Sequence, residues 1–459
     1  MVNNLHSTSK AGVRPKMDGS QSQATVHGNK VPTLTILPVG TFLIGNMDKL
    51  RKYDDIVHLK LGVADFYLAT NPALIQEILV TKQRDFIKGR YLQNTKKVFG
   101  EGLLTSEGDF HHRQRRLIQP AFHHDRIKEY AKTIVQYEER LTGRWKEGST
   151  VDIHSEMTKL TMAIITKCLF DKDVESESEN LSEDLSTTIE YFNRLSSPLA
   201  KVLGVLPTNK KYVWATERVD AFVRDLIRQR RASPEDTGDL MSMLLQAKDV
   251  DGSPMTDSQI RDEVLITFAA GHETTANALT WTWYLLSQNP SSEQKMYDEV
   301  KSVVGSRSPG WEDLPKLDYT TKVLTESMRL YPPAWVLPRE ATIDSQIGGY
   351  LIPRGSQVIV SQYVTHHDPR FYIDPEKFDP DRWTPSMKSS LPKFAYFPFG
   401  GGVRSCVGEP FAWMEGELLL ATISQEWKMH HVEGHKVEML PQITLRPKFG
   451  MMMKLERRQ

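Results

Sequence analysis

Between Thr256 and Pro290 lies a stretch whose apolar residues recur at helical intervals and whose two ends are both marked; it constrains the fold more than any other feature. Thr256 followed by Gln259 matches a capping box, in which each side chain takes the other residue's backbone N–H, and Asn289-Pro290 supplies the stop. At about 1.5 Å per residue, a helix over 257–289 extends on the order of 50 Å, so it must cross the whole molecule. Other helical patterns fall at 125–147, 155–170, 185–200, 212–231, 291–304 and 316–330, and strand-like alternation at 56–70, 347–360 and 441–456. The expected fold is mainly α with a minor β part.

Lys plus Arg and Asp plus Glu number 58 each in the 459 residues, which removes any global reason to expect a nucleic acid as partner. Two cysteines, Cys168 and Cys406, cannot build a disulfide framework, and a reducing, cytoplasmic setting fits. Cys168 sits in an apolar run and reads as a core residue. Residues 1–30 are polar and expected to be disordered, with 31–459 forming a single domain. Pro32, Pro38, Gly40 and Gly45 break up the uncharged run 31–47, so no transmembrane span is expected; peripheral membrane contact or an organelle-targeting leader stands as the alternative. The acidic-serine stretch 175–184 reads as a solvated connection. Adjacent histidines at 111/112, 123/124, 366/367 and 430/431 point in different directions on a helix or strand and are not read as a second metal site.

The chemistry concentrates in Phe399-Gly-Gly-Gly-Val-Arg-Ser-Cys406-Val-Gly408. Three glycines allow positive φ and close approach of a flat ligand. Arg404 and the start of a helix near Val407 favour negative charge, so the thiol is expected to be anionic at neutral pH. A single soft thiolate suits iron better than zinc, which needs further ligands nearby.

Phe399, Gly402, Arg404, Cys406 and Gly408 together resemble the haem-binding loop of the cytochrome P-450 family. The resemblance extends over nearly the whole chain after residue 40. It implies heme b (iron protoporphyrin IX) between the long distal helix and the cysteine-loop helix, with Cys406 as the iron ligand and Phe399, Arg404 and Gly408 beside the cofactor. Ala270-Gly-His-Glu-Thr-Thr275 resembles the oxygen-activation segment, which makes Glu273 and Thr274 the acid–alcohol pair and sets Ala270 against the haem. Gly271 and the threonines are expected to distort the helix there. His272-Glu273 is not read as a zinc motif, because position 276 is alanine. His111 and Arg115 match the family's C helix, and Arg339 follows the Glu-x-x-Arg helix; with Arg404 they are expected to hold the haem propionates. Glu326, Arg329 and Arg382 resemble the family's buried cluster, with a structural role.

A monooxygenase reaction is implied, drawing on O2, a hydrophobic small-molecule substrate and a separate redox partner (ferredoxin or flavodoxin plus reductase) that docks on Arg113, Arg116 and Lys393. Substrate contacts are assigned to Leu103, Leu104, Phe268, Ala269, Ala270, Ala334, Trp335 and Val336. A long-chain fatty acid is the first reading, and a terpenoid, carotenoid or steroid the second; a monomer is expected. A peroxide-driven enzyme would not need the Glu273–Thr274 pair, and neither would a haem sensor or carrier.

Overall fold

The protein is seen in a computed structural model that describes residues 55–61, 64–174, 178–195, 210–233, 238–249 and 252–459, with short pieces (24–26, 29–31, 33–35, 44–46 and 50) before them. The long helix, Asp257–Gln288, is capped by Thr256; Gln259 N–H donates to Thr256 Oγ1 at 3.2 Å and Thr256 N–H to Gln259 Oε1 at 2.9 Å. It is buried along most of its length, with Trp281 and Trp283 enclosed, as a helix apolar on every face must be. Around it pack the helices His124–Thr142, Ile153–Phe170, Lys210–Ala232, Asp318–Leu330 and Glu409–Glu426.

At Gly271, where a local distortion is expected, the threonine back-bonds form but the helix is not interrupted. Helical backbone continues through it, and the Thr274 and Thr275 hydroxyls donate back to the carbonyls of Ala270 (2.7 Å) and Gly271 (3.3 Å). Gly271 serves packing instead: a Cβ there would stand 2.7 Å from Ile165 Cδ1 on helix Ile153–Phe170, so its absence lets the two helices close up. Thr161 of that helix also donates to the His272 carbonyl at 2.9 Å.

Helix Ser178–Leu195 begins inside the stretch expected to be a solvated connection. Leu181 and Leu185, four residues apart, are both buried and give it an apolar face. Within the N-terminal thirty residues, Ala24–Val26 pairs antiparallel with Asn29–Val31, a difference from the expected disorder; β-branched Thr25, Val26 and Val31 suit such pairing, and residues 1–23 lie outside the described residues.

The largest sheet runs in the spatial order Thr33–Thr35, Ile56–Leu61, Ala64–Ala69, Gln357–Val360, Leu337–Ala341, Phe86–Lys88. Its last antiparallel register sets Lys88 directly opposite Arg339. A second sheet joins Trp427–His431, Met452–Arg457 and Thr150–Asp152. Among the described residues no helix is long and apolar enough to cross a membrane.

Candidate functional site

The Cys406 loop is shaped by contacts that only glycine allows. Gly402 adopts φ +67°, and a Cβ on it would meet the Leu79 carbonyl oxygen at 2.2 Å. The loop closes when Cys406 N–H donates to the Phe399 carbonyl at 2.9 Å, with the Phe399 ring 5.7 Å from that of Trp413. Gly408 then leads into helix Glu409–Glu426, whose first amides, on Gly408 and Glu409, are directed at the sulfur. Protein surrounds the sulfur, although Cys406 as a residue keeps accessible surface.

Burial pushes the Cys406 thiol up, outweighing the two amides and the Arg115 guanidinium that favour the anion; the Glu409 carboxylate pushes the same way as burial. Burial and Glu409 thus oppose the anion that the sequence leads one to expect, and a metal bound at the sulfur would favour it. Arg404 does not act on the sulfur. It donates to the Ser106 carbonyl at 2.7 Å and pairs with Glu107. Arg115 is the cation at the loop, donating to the Ser405 carbonyl at 2.7 Å and the Ser405 hydroxyl at 3.3 Å.

His111, Arg115, Arg339 and Arg404 gather as the sequence suggested, and a fifth group, Lys88, joins them. Lys88 is buried, donates to the Leu103 carbonyl at 3.1 Å and to that of Leu104, and is driven well below its ordinary pKa by burial and then by Arg404. Arg339 falls to about 10 through burial and the nearby Arg404. His111 falls to about 3 through burial, then through Arg404 and Lys88, and its buried Nδ1 has no hydrogen-bond partner. Like charges opposed across a sheet destabilise it, and in this group Glu107 is the carboxylate acting on Lys88, Arg339 and Arg404 alike. A ligand carrying carboxylates would relieve this crowding, so the residues fit an iron porphyrin with a thiolate on one side and propionates among these cations.

On the long helix, Ala270 is exposed in the middle of an otherwise buried segment, and Thr274, one turn on, is half-buried on the same face. Glu273 is buried and turned to the loop before strand Leu445–Pro447: Thr444 Oγ1 donates to its Oε1 at 2.6 Å, and Arg446 Nη1 lies 3.9 Å from the same oxygen. Glu273 and Thr274 are thus neighbours in the chain whose side chains take different partners, Thr444 and Arg446 for the acid and the Ala270 carbonyl for the alcohol.

The sequence model for the family described as Cytochrome P450 matches residues 40–454. The chain belongs to the cytochrome P450 family. Cyclooctatin synthase of Streptomyces melanosporofaciens is 35% identical to it over 446 residues, 94% of this chain and 96% of that protein. Pentalenene oxygenase of Streptomyces avermitilis is 32% identical over 386 residues, 83% of this chain and 86% of that protein. The crystal structure of the cytochrome P450DA heme domain has a TM-score of 0.83 at 25% identity and covers 94% of this chain and 98% of its own. This P450 is therefore a haem-iron oxidoreductase of the monooxygenase class, acting with O2 and redox partners on a hydrophobic substrate.

In this P450 Glu326 and Arg329 are completely buried. Arg329 forks onto the carboxylate with two bonds of 2.8 Å, Arg382 Nε donates to Oε1 at 2.9 Å, and the Trp383 indole donates to Oε2 at 2.9 Å. Spare guanidinium donors hold the carbonyls of His366, Pro375 and Lys377 from Arg329, and of Ile373 from Arg382. One carboxylate and two arginines thus tie helix Asp318–Leu330 to the segment 366–383.

The pocket residues divide. Leu103 and Leu104 are held by the long helix, since Leu103 N–H donates to Glu263 at 2.9 Å and Gln114 donates to the same carboxylate at 2.7 Å. Burial raises the Glu263 carboxyl to about 7. Ala269, Ala334 and Val336 are half-buried. Phe268 and Trp335 do not read as lining residues. Phe268 is enclosed, its ring 4.6 Å from Phe170 and 5.8 Å from Phe222, and Trp335 is buried with its indole donating to the Gln442 carbonyl at 2.8 Å. Arg113 and Arg116 both face Asp249, at 2.6 and 3.8 Å, and Arg116 borders a groove of about 380 Å³ shared with His112, Arg115, Gln119, Pro120 and His123. Lys88, Thr444 and Arg446 were missed. Lys88 had only its place between apolar Phe86-Ile87 and Gly89 as a signal, and the other two are delivered by tertiary packing from a segment far away in the chain.

Proposed function

We propose that this P450 oxidises a polycyclic terpenoid hydrocarbon or alcohol, with heme b as cofactor and electrons from a separate ferredoxin or flavodoxin and its reductase, as a monomer in the cytoplasm. Cys406 would hold the haem iron, which when bound would supply O2 activation: with two electrons from the redox partner and two protons, one oxygen atom would enter the substrate and the other leave as water. Cations Lys88, Arg115, Arg339 and Arg404, with His111, bind the carboxylates of the cofactor. Thr274 hands on a proton at Oγ1, and Glu273 replaces it through the carboxylate oxygen that Thr444 and Arg446 do not face. The substrate lies against Leu103, Leu104, Ala269, Ala270, Ala334 and Val336, which offer it no charge.

What carries the proton-delivery reading is the open face of a buried helix at Ala270 and Thr274, with a carboxylate at the adjacent position. The substrate class rests on the likeness to cyclooctatin synthase and pentalenene oxygenase, relatives that act on terpenoids. The His-Glu-Thr-Thr form of the distal segment supports the second reading, a long-chain fatty acid. Titration of the purified ferric protein with polycyclic terpenes, carotenoids, steroids and fatty acids separates the readings. A saturable shift of the Soret band with cyclic terpenes, and a product heavier by one oxygen atom, is expected; a response confined to fatty acids overturns the terpenoid assignment.

A further inference from the structure

Asn277 stands one turn beyond Glu273 in the long helix and is completely buried, where a primary amide is tolerated only when both its ends are bonded. Both are. Its Oδ1 lies 3.1 Å from His154 Nε2, and its Nδ2 donates to Thr444 Oγ1 at 3.3 Å. Thr444 in turn donates to Glu273 Oε1 at 2.6 Å. Three elements contribute: helix Ile153–Phe170 through His154 in its first turn, the long helix through Asn277, and the loop before strand Leu445–Pro447 through Thr444.

The donor count fixes the direction of this chain. Thr444 has one hydroxyl proton, and because its oxygen accepts from the Asn277 amide, that proton is committed to Glu273. The amide nitrogen being the end that donates, the carbonyl end accepts from a protonated His154 Nε2. Every proton in the chain therefore points toward the carboxylate, and Arg446 adds positive charge 3.9 Å from the same oxygen. No hydrogen bond to Glu273 Oε2 is found among the described residues. A carboxamide is a poor proton carrier, so the arrangement suits orientation better than conduction.

We propose that His154, Asn277 and Thr444 form a positioning chain that ties down Oε1 of Glu273 and thereby leaves Oε2 as the oxygen that exchanges protons with Thr274 and solvent. The inference rests on the proton-delivery reading above. Without the chain the carboxylate rotates about its terminal bonds, and its two oxygens share the task at random. Burial holds the His154 ring below its ordinary pKa, with Arg446 acting in the same sense and Asp152, Glu273 and the Asn277 bond opposing, so the ring is in its neutral form and its tautomer is set by Asn277.

The test compares Thr444→Val, Thr444→Ser, Asn277→Ala and Glu273→Gln in the haem-loaded enzyme, with melting temperature and haem content measured for each. Thr444→Val removes the donor and keeps the shape; product formed per reductant oxidised should fall about tenfold, the size expected for one hydrogen bond to a charged group, and Thr444→Ser should recover most of it. A second readout does not depend on turnover: in ¹⁵N-labelled, haem-loaded protein held as the diamagnetic reduced carbon monoxide complex, Asn277→Ala should shift the His154 ring nitrogens. An unchanged product ratio in Thr444→Val beside an uncoupled Glu273→Gln overturns this inference alone, as does a His154 spectrum indifferent to Asn277→Ala. A fully coupled Glu273→Gln overturns the proton-delivery reading and this inference together.

Discussion

Cys406 carries two requirements that pull apart: its loop must be tight enough to aim one sulfur, and its thiol must give up a proton that burial favours keeping. An iron held by Cys406 would resolve the conflict by taking the place of the proton. Cys406→Ser should therefore fold yet lose the absorption band that marks thiolate ligation in the reduced carbon monoxide complex; a variant that keeps the band removes Cys406 as ligand. Thr274→Ala is expected to bind haem and substrate and to consume reductant while losing product, since positioned proton transfer contributes ~10²–10⁴-fold to such steps. Product per reductant oxidised measures this. At this scale the sequence was most legible where residue types crowd into one short segment, as in Phe399–Gly408. Lys88 was not legible, because its partner Arg339 is some 250 residues away and only sheet register brings the two together.

Among the elements, the long helix shows how one missing methyl group sets an interface. Alanine at 271 would gain about 1 kcal/mol of helix propensity. It would also drive a methyl group to 2.7 Å from Ile165 Cδ1 in the core, and overpacking of that kind costs about 1–3 kcal/mol. The second effect is the larger, so Gly271→Ala should lower the melting temperature, and adding Ile165→Val, which deletes the offending carbon, should restore it. Glu326→Ala should be more severe, because it leaves the completely buried Arg329 and the half-buried Arg382 without their carboxylate, at a cost of about 3–5 kcal/mol. Its signature is a low yield of haem-loaded protein, whereas a well-folded but inactive variant would move Glu326 into the catalytic set. Periodicity located the helices because burial on one face imposes it. The same reasoning failed at 175–184, where acidic and serine residues masked Leu181 and Leu185, and at Gly271, where a packing contact looked like a propensity defect.

Across the whole molecule, buried acids tie stability to pH. Burial raises Glu415 and Glu138 to about 8 each, so between the ordinary carboxyl value near 4.5 and about 8 the folded chain holds protons that the unfolded chain has released. Stability contributed by these protonated forms is full below the lower value and is lost as pH rises through the upper one. Glu415→Gln removes the charge that must otherwise form in the interior. Its melting temperature should pull ahead of the parent's as pH goes from 5 to 8, and a gap that stays constant would refute the assignment. None of this was legible in the sequence, where both residues look like ordinary helix-surface glutamates. Chain order adds a constraint of timing. The long helix and Glu273 leave the ribosome well before Cys406, and Cys406 before Thr444 and Arg446, while strand Met452–Arg457 later still closes the sheet onto Thr150–Asp152. Domains fold as units once their parts are available. A nascent chain stalled ahead of Thr444 therefore has the helix that crosses the molecule but lacks the Thr444 and Arg446 side chains that face its acid, and this corner of the site waits for them.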